Sequence, residues 1–218
     1  ILPFLPANYL SNDVSDNDRI SLRETYNLPE HFLFYPAQFW PHKNHSCILQ
    51  ALNILKEAKK LEINVVFCGS HSGDIRDKCF KDIMINANKM GISKQIYYLG
   101  YVPDQDMSSL YSEAIGLVMP TFFGPTNIPV IEAWSFNCPV ITSDIRGVRE
   151  QAKDAAVLVD PKSGESLAEA IYDIFTDENL CNKLIRAGHQ KLSSYKSEDY
   201  SNRLSKIIHE ANECVSQK

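Results

Sequence analysis

The sequence predicts an α/β protein built on a doubly wound parallel sheet. Six short apolar runs recur along it, at residues 31–36, 63–69, 95–100, 114–120, 138–143 and 155–160. Each is nearly continuous in apolar residues rather than alternating, the pattern of strands covered on both faces. Segments with helical spacing separate them, and this βαβα order implies a doubly wound sheet.

The elements follow in chain order. After the first run, Ile48, Leu52 and Leu55 form one helical stripe, with Lys56, Lys59 and Lys60 on the other side. Residues 76–89 and 106–113 give two more helices. Beyond the fourth run, Asn127 suits an N-cap and Pro129 the first helical turn, where a missing N–H does no harm. The helix that follows is apolar around nearly its whole circumference, from Ile128 to Phe136, which marks it as buried. After Asp160 the pattern is helical to the end. Leu167, Ala170, Ile171 and Ile174 form one stripe, and Leu180, Leu184 and Ala187 another. A last helix from about Ser197 carries Tyr200, Leu204, Ile207, Ala211 and Val215.

The 218 residues suit one large domain, or a domain with an appendage, and a hydrophobic share of 44% supplies its core. A net charge of -5 lacks the basic footprint of a nucleic-acid binder. The six cysteines (Cys47, Cys68, Cys79, Cys138, Cys181, Cys214) show no CxxC or Cys/His spacing. Cys68 and Cys138 fall in or beside apolar runs, so the cysteines read as reduced thiols of a cytoplasmic protein. No apolar run is long enough to span a bilayer. Residues 1–6 are apolar but broken by proline, and read as an extended segment entering from something upstream.

Ligands of such sheets bind at the carboxyl ends of the strands, so the loops there carry the candidates. In the loop after the fourth run, Gly124, Pro125, Thr126 and Asn127 lead into a helix whose first free amides, at Thr126, Asn127 and Ile128, suit a phosphate. One turn on, Glu132 is a carboxylate on a buried helix. It either accepts two ribose hydroxyls in the crevice or pairs with an arginine such as Arg146 or Arg149. After the first run, Lys43 stands near a helix start, where the macrodipole disfavours a cation unless an anion joins it. His42 and His45 beside it read as capping or surface residues. Ser70, in the loop from Gly69 to Gly73, offers a phosphate or sugar contact or closes a plain turn. Asp104 and Asp106 read as helix caps rather than metal ligands. Asp144 and Gly147 either shape the crevice or belong to a surface turn with a salt bridge. No GxGxxG or Walker sequence occurs.

These loops, in this order, resemble the C-terminal domain of GT-B glycosyltransferases of family 4 (group 1). The usual loop of that family reads Glu-Gly-Phe-Gly-Leu-Pro-Val-Leu-Glu-Ala. Its second glutamate falls on Glu132 and its first on Gly124, so the first is absent, and Thr126 and Asn127 stand in for it. The family's diphosphate-gripping Arg and Lys, five apart, fall on Gln38 and Lys43, so the arginine is absent too. The resemblance implies a Rossmann-like half of a GT-B fold with extra C-terminal helices. It places the base by the loop at Tyr101 and Val102, read mostly through backbone. It also implies that residues 1–12 link to a missing N-terminal domain, that 13–196 bind the nucleotide sugar, and that 197–218 cross back to that domain.

The activity so implied is a retaining transferase that moves a sugar from a nucleoside-diphosphate sugar to a glycan or lipid-linked acceptor. No metal or other cofactor is expected, most catalytic residues lie on the missing domain, and the fragment alone is inactive. The partners are the nucleotide sugar and the protein's own N-terminal domain, with no nucleic acid. Peripheral association at the inner face of the membrane is compatible with the resemblance. The alternatives are a catalytically silent nucleotide- or glycan-binding module, motivated by Gly124 and Gln38, and a sugar-nucleotide epimerase.

Overall fold

A computed structural model describes residues 10, 14–124, 127–194 and 197–216. The expected linker, apart from Leu10, lies outside them, as do Pro125 and Thr126. The six apolar runs form one parallel sheet with strands β1 (Phe32–Pro36), β2 (Asn64–Cys68), β3 (Ile96–Tyr98), β4 (Gly116–Met119), β5 (Val140–Ser143) and β6 (Val157–Val159). Their spatial order is β3-β2-β1-β4-β5-β6. The order in which strands are added therefore reverses between the parallel neighbours β1 and β4, where Leu33 pairs with Gly116 and Phe34 with Leu117. That reversal opens a crevice at the carboxyl edge.

Helices cover both faces. On one face α2 (His45–Ile54) packs against α7 (Gly164–Thr176) and α3 (Asp74–Lys89). On the other, α4 (Asp104–Glu113) touches α5 (Ile128–Ser135), and α5 touches α8 (Glu178–Ser193). This sandwich explains the all-round apolar character of α5: Val130, Ile131, Ala133 and Trp134 are buried, with the sheet on one side and α8 on the other. Gly188 lets α8 come this close, because a Cβ there would lie 2.6 Å from Trp134 Cδ1. Trp134 Nε1 donates to the Ala155 carbonyl at 3.0 Å, so the buried indole is satisfied.

Several elements were not expected from the sequence. Helix α1 (Asp16–Tyr26) is closed by a capping box between Ser15 and Asp18, and Tyr26 ties it to α4 by donating to Asp106 at 2.7 Å. Helix α6 (Arg146–Ala152) occupies what read as a surface turn. A π-helical turn, Leu55–Lys59, extends α2. The last helix, α9 (Ser197–Ser216), begins where expected and leaves Ile207 and Ile208 about half exposed. Among the described residues no helix is long and apolar enough to cross a membrane. Cys47, Cys68, Cys79, Cys138 and Cys181 are free thiols.

Candidate functional site

The crevice is stitched together at the β1–β4 divide. The chain leaves β1, makes a 3-10 turn at Pro41–Lys43, and enters α2 through Asn44. Asn44 has φ 58, the left-handed region that asparagine tolerates. Its buried amide donates to the Pro120 carbonyl at 2.8 Å and to the Pro161 carbonyl at 2.7 Å. One side chain thus joins the ends of β1, β4 and β6. The His42 carbonyl accepts from the Phe122 amide at 2.9 Å and from Thr121 Oγ1 at 3.0 Å, while Tyr35 donates to the Lys43 carbonyl at 2.7 Å. Lys43 therefore stands on a backbone fixed from both sides of the divide.

Its ammonium is half-buried, and loss of hydration holds its pKa below the ordinary 10.5. No described carboxylate pairs with it; the ion pairs among the described residues lie elsewhere. A cation without a counterion at the carboxyl edge of a parallel sheet is a ready anion site. The start of α5 follows the neighbouring strand, β4. Asn127 occupies the N-cap position as expected but does not cap: at φ 44 it is left-handed, and its amide donates instead to Gln151 Oε1 at 3.1 Å. The Ile128 amide accordingly has no side-chain cap among the described residues. Thr126 lies outside the described residues.

Gly124 has a structural reason to lack a side chain. A Cβ there would overlap the Asn127 side-chain oxygen. With Asn127 in this conformation, position 124 has no room for a side chain.

Glu132 is buried and accepts from the Tyr111 hydroxyl at 2.7 Å. The alternative pairing with Arg146 or Arg149 does not form, because Arg146 pairs with Glu150 and Arg149 with Asp144. Burial raises the Glu132 carboxyl above its ordinary 4.5, and the Tyr111 hydrogen bond opposes that rise. Burial, with a smaller contribution from the Glu132 charge, pushes the Cys68 thiol up to about 12. Glu132 and Lys43 make no ion pair, so neither charge is spent on the other.

Other expectations need correction. Ser70 spends its hydroxyl on its own turn, 2.6 Å from Ser72 Oγ and accepting from the Ser72 amide at 3.1 Å. Asp104 and Asp106 are not caps: Pro103 holds the N-cap position of α4, and both carboxylates sit in its first turn, where the helix dipole favours them. Asp144 forms the salt bridge that was one of its two readings, and Gly147 meets nothing within 4 Å. His45 neither caps nor reaches the surface. Its ring is buried, stacked on Phe39 at 4.3 Å, and desolvation lowers its pKa to about 3. Val102 is buried, which leaves only its backbone to a ligand, while the neighbouring Tyr101 is 79% exposed. Gln38 is exposed, and its carbonyl oxygen accepts from Trp40 Nε1 at 3.0 Å and from Arg76 at 2.9 Å. Asn44, Arg76 and Tyr111 were not foreseen as parts of the crevice. Among the described residues no three His, Cys, Asp or Glu side chains gather as metal ligands.

Comparison with known proteins gives one family by sequence profile and a shared fold among solved structures. The sequence profile described as "Glycosyl transferases group 1" matches residues 17–191. The chain is 27% identical over 148 residues to the O-antigen chain mannosyltransferase B of Escherichia coli, covering 68% of this chain and 38% of that protein. Among solved structures, Anabaena HepE in complex with UDP and glucose superposes with a TM-score of 0.79 at 15% identity, covering 90% of this chain and 53% of that one. The C-terminal domain of a group 1 glycosyl transferase, LpcC of Francisella tularensis, superposes at 0.66 with 22% identity, covering 89% and 96%. The chain spans about two-fifths of the length of the curated relatives it matches first, 38% and 42%.

Proposed function

The chain belongs to the group 1 glycosyl transferases, and from that premise we propose that it is the donor-binding part of an enzyme that moves a sugar from a nucleoside-diphosphate sugar to a glycan or lipid-linked acceptor. The observation that carries this reading is the half-buried Lys43 ammonium, without a carboxylate partner among the described residues, on the segment after β1, and the neighbouring strand β4 leads into α5, whose start has no side-chain cap. Lys43 binds the diphosphate as a point charge. The amides at the tip of α5, from Ile128 back through Asn127 and Thr126, donate to the same phosphates. As the bond to the sugar breaks, charge grows on the departing diphosphate. Groups fixed in advance stabilise that charge without reorganising. Glu132, with one oxygen held by Tyr111, keeps the other for a ribose hydroxyl. The base lies by the backbone at Val102.

Several further points belong to the same proposal. Residues 13–196 form the donor unit, residues 1–12 link it to an acceptor-binding domain, and the helix from 197 crosses back to that domain. The relatives' greater length and the exposed Ile207 and Ile208 support this. Transfer with retention at the anomeric carbon, action without a bound metal, and a cytoplasmic site at the inner face of the membrane also belong to it. The mannosyltransferase and the UDP-bound relative make mannose and uridine donors the first to try.

A panel of UDP, GDP and their sugars tested by thermal shift on the 218-residue chain examines the reading. It predicts stabilisation by one nucleoside diphosphate family and none by the free nucleoside. No shift with any of them contradicts it. The absent side chain at Gly124 favours one second reading, a silent binding module. That reading predicts the same binding with no sugar turnover by the longer protein.

A further inference from the structure

Lys43 is not the only cation left without a carboxylate at this edge. Arg76, in the first turn of α3, donates from a terminal guanidinium nitrogen to Gln38 Oε1 at 2.9 Å. Its guanidinium carbon lies 5.0 Å from the centre of the Trp40 ring, and Trp40 Nε1 donates to the same Gln38 oxygen at 3.0 Å. The acidic residues of that turn do not neutralise it: Asp77 pairs with Lys81 and His71, and no ion pair joins Asp74 to Arg76. In a protein of net charge -5, a guanidinium is thus held by an amide and an indole, both of which leave its charge intact.

The backbone brings this group to the crevice. A Cβ on Gly69 would come within 2.8 Å of the Ala37 carbonyl, so the loop after β2 rests directly on the loop after β1. Arg76, from the β2 side, meets Gln38 on the segment that reaches Lys43 five residues later. Position 38 is where the group's motif carries its arginine.

We infer that Arg76 supplies the second cation of the diphosphate site in place of that arginine, with Gln38 and Trp40 as the residues that position it. The inference rests on the reading of Lys43 as a diphosphate ligand. Only one guanidinium donor is engaged by Gln38, so others are free to take two phosphate oxygens in the planar geometry that arginine favours. The ligand it selects is a nucleoside diphosphate over a monophosphate.

Calorimetric titration of the 218-residue chain with GDP and GMP, and with UDP and UMP, tests this in four proteins: the parent, Arg76→Gln, Lys43→Ala and the double variant Gln38→Arg/Arg76→Gln. Arg76→Gln is expected to weaken the diphosphate at least about tenfold, the loss of one charge-assisted contact, and to change the monophosphate little. The double variant, which returns a guanidinium to position 38, is expected to regain most of that loss. If Arg76→Gln weakens both nucleotides equally, Arg76 acts on the fold and the inference fails. If Arg76→Gln binds like the parent while Lys43→Ala does not, the inference fails and the donor site stands. If neither variant loses affinity, both fall.

Discussion

The phenolic hydroxyl of Tyr111 donates to Glu132 Oε2 at 2.7 Å, and both side chains are buried. The tyrosine ring is itself fixed, edge-on to Phe34 at 5.0 Å and stacked with Phe136 at 5.9 Å. One oxygen of the carboxylate is therefore oriented by α4, an element the sequence motif around Glu132 does not contain.

Tyr111→Phe removes a hydrogen bond to a buried carboxylate and is expected to cost about 2 kcal/mol at neutral pH. Its pH dependence follows from the direction of the Glu132 shift. The folded carboxyl titrates above 4.5, so just above that pH the folded state holds a proton that the unfolded chain has lost. Stability then falls as pH rises through the window between the two values. The Tyr111 hydroxyl opposes the shift, so Tyr111→Phe extends the window upward, and Glu132→Gln abolishes its slope. Urea midpoints measured across that pH range check both.

His45 gives a slope of opposite sign. Its folded pKa is about 3 against an ordinary 6.5, so the unfolded chain takes up a proton first as pH falls. Stability drops by about 1.4 kcal/mol per pH unit below 6.5 from this residue alone. In His45→Phe, which keeps the stack on Phe39, the acid limb of the stability curve is expected to flatten by that amount. Denaturant midpoints of the two proteins between neutral and mildly acid pH measure it.

Burial also weakens the hold of Lys43 on its proton. Anion binding needs the ammonium, so nucleoside diphosphate affinity is expected to fall at alkaline pH sooner than an ordinary lysine, with its pKa of 10.5, would allow. Titrations from neutral pH upward test this. Bound diphosphate favours the charged form, so binding at mildly alkaline pH should also take up protons, visible as a dependence of the heat on the buffer.

Gly124 and Asn127 should behave as a coupled pair. Gly124→Glu alone puts a Cβ onto the Asn127 side chain and lowers the melting temperature. Adding Asn127→Gly removes the obstacle at a φ of 44 that glycine adopts freely, and recovers most of the loss. Melting curves of the two singles and the double give the coupling.

The sheet was readable because its central strands β1 and β4 are buried along nearly their whole length and are written in apolar residues. The stripes of α7 and α8 were readable for a related reason, one face packed and one wet. Helix α1 escaped because its only buried residue is Leu22, leaving almost no stripe; the capping box from Ser15 to Asp18 was the signal available. The buried carboxylate at Glu132 and the helix start at Asn127 were legible because both belong to the loop and helix that follow β4. Tyr111 and Arg76 were not, since they stand 21 and 38 residues from the groups they meet, and only the strand order brings them there. The N-cap expectation at Asn127 failed to a side-chain partner, Gln151, that local rules do not specify, and at Ser70 the turn that was one of its two readings forms with Ser72.

The account turns on whether the unpaired ammonium at the β1–β4 divide holds a diphosphate. Calorimetric titration of nucleoside diphosphates into the parent chain and into Lys43→Ala, side by side, measures this directly. The account predicts saturable binding by the parent and at least about tenfold weaker binding by the variant. Equal affinities, or a parent that binds no nucleoside diphosphate, would contradict it.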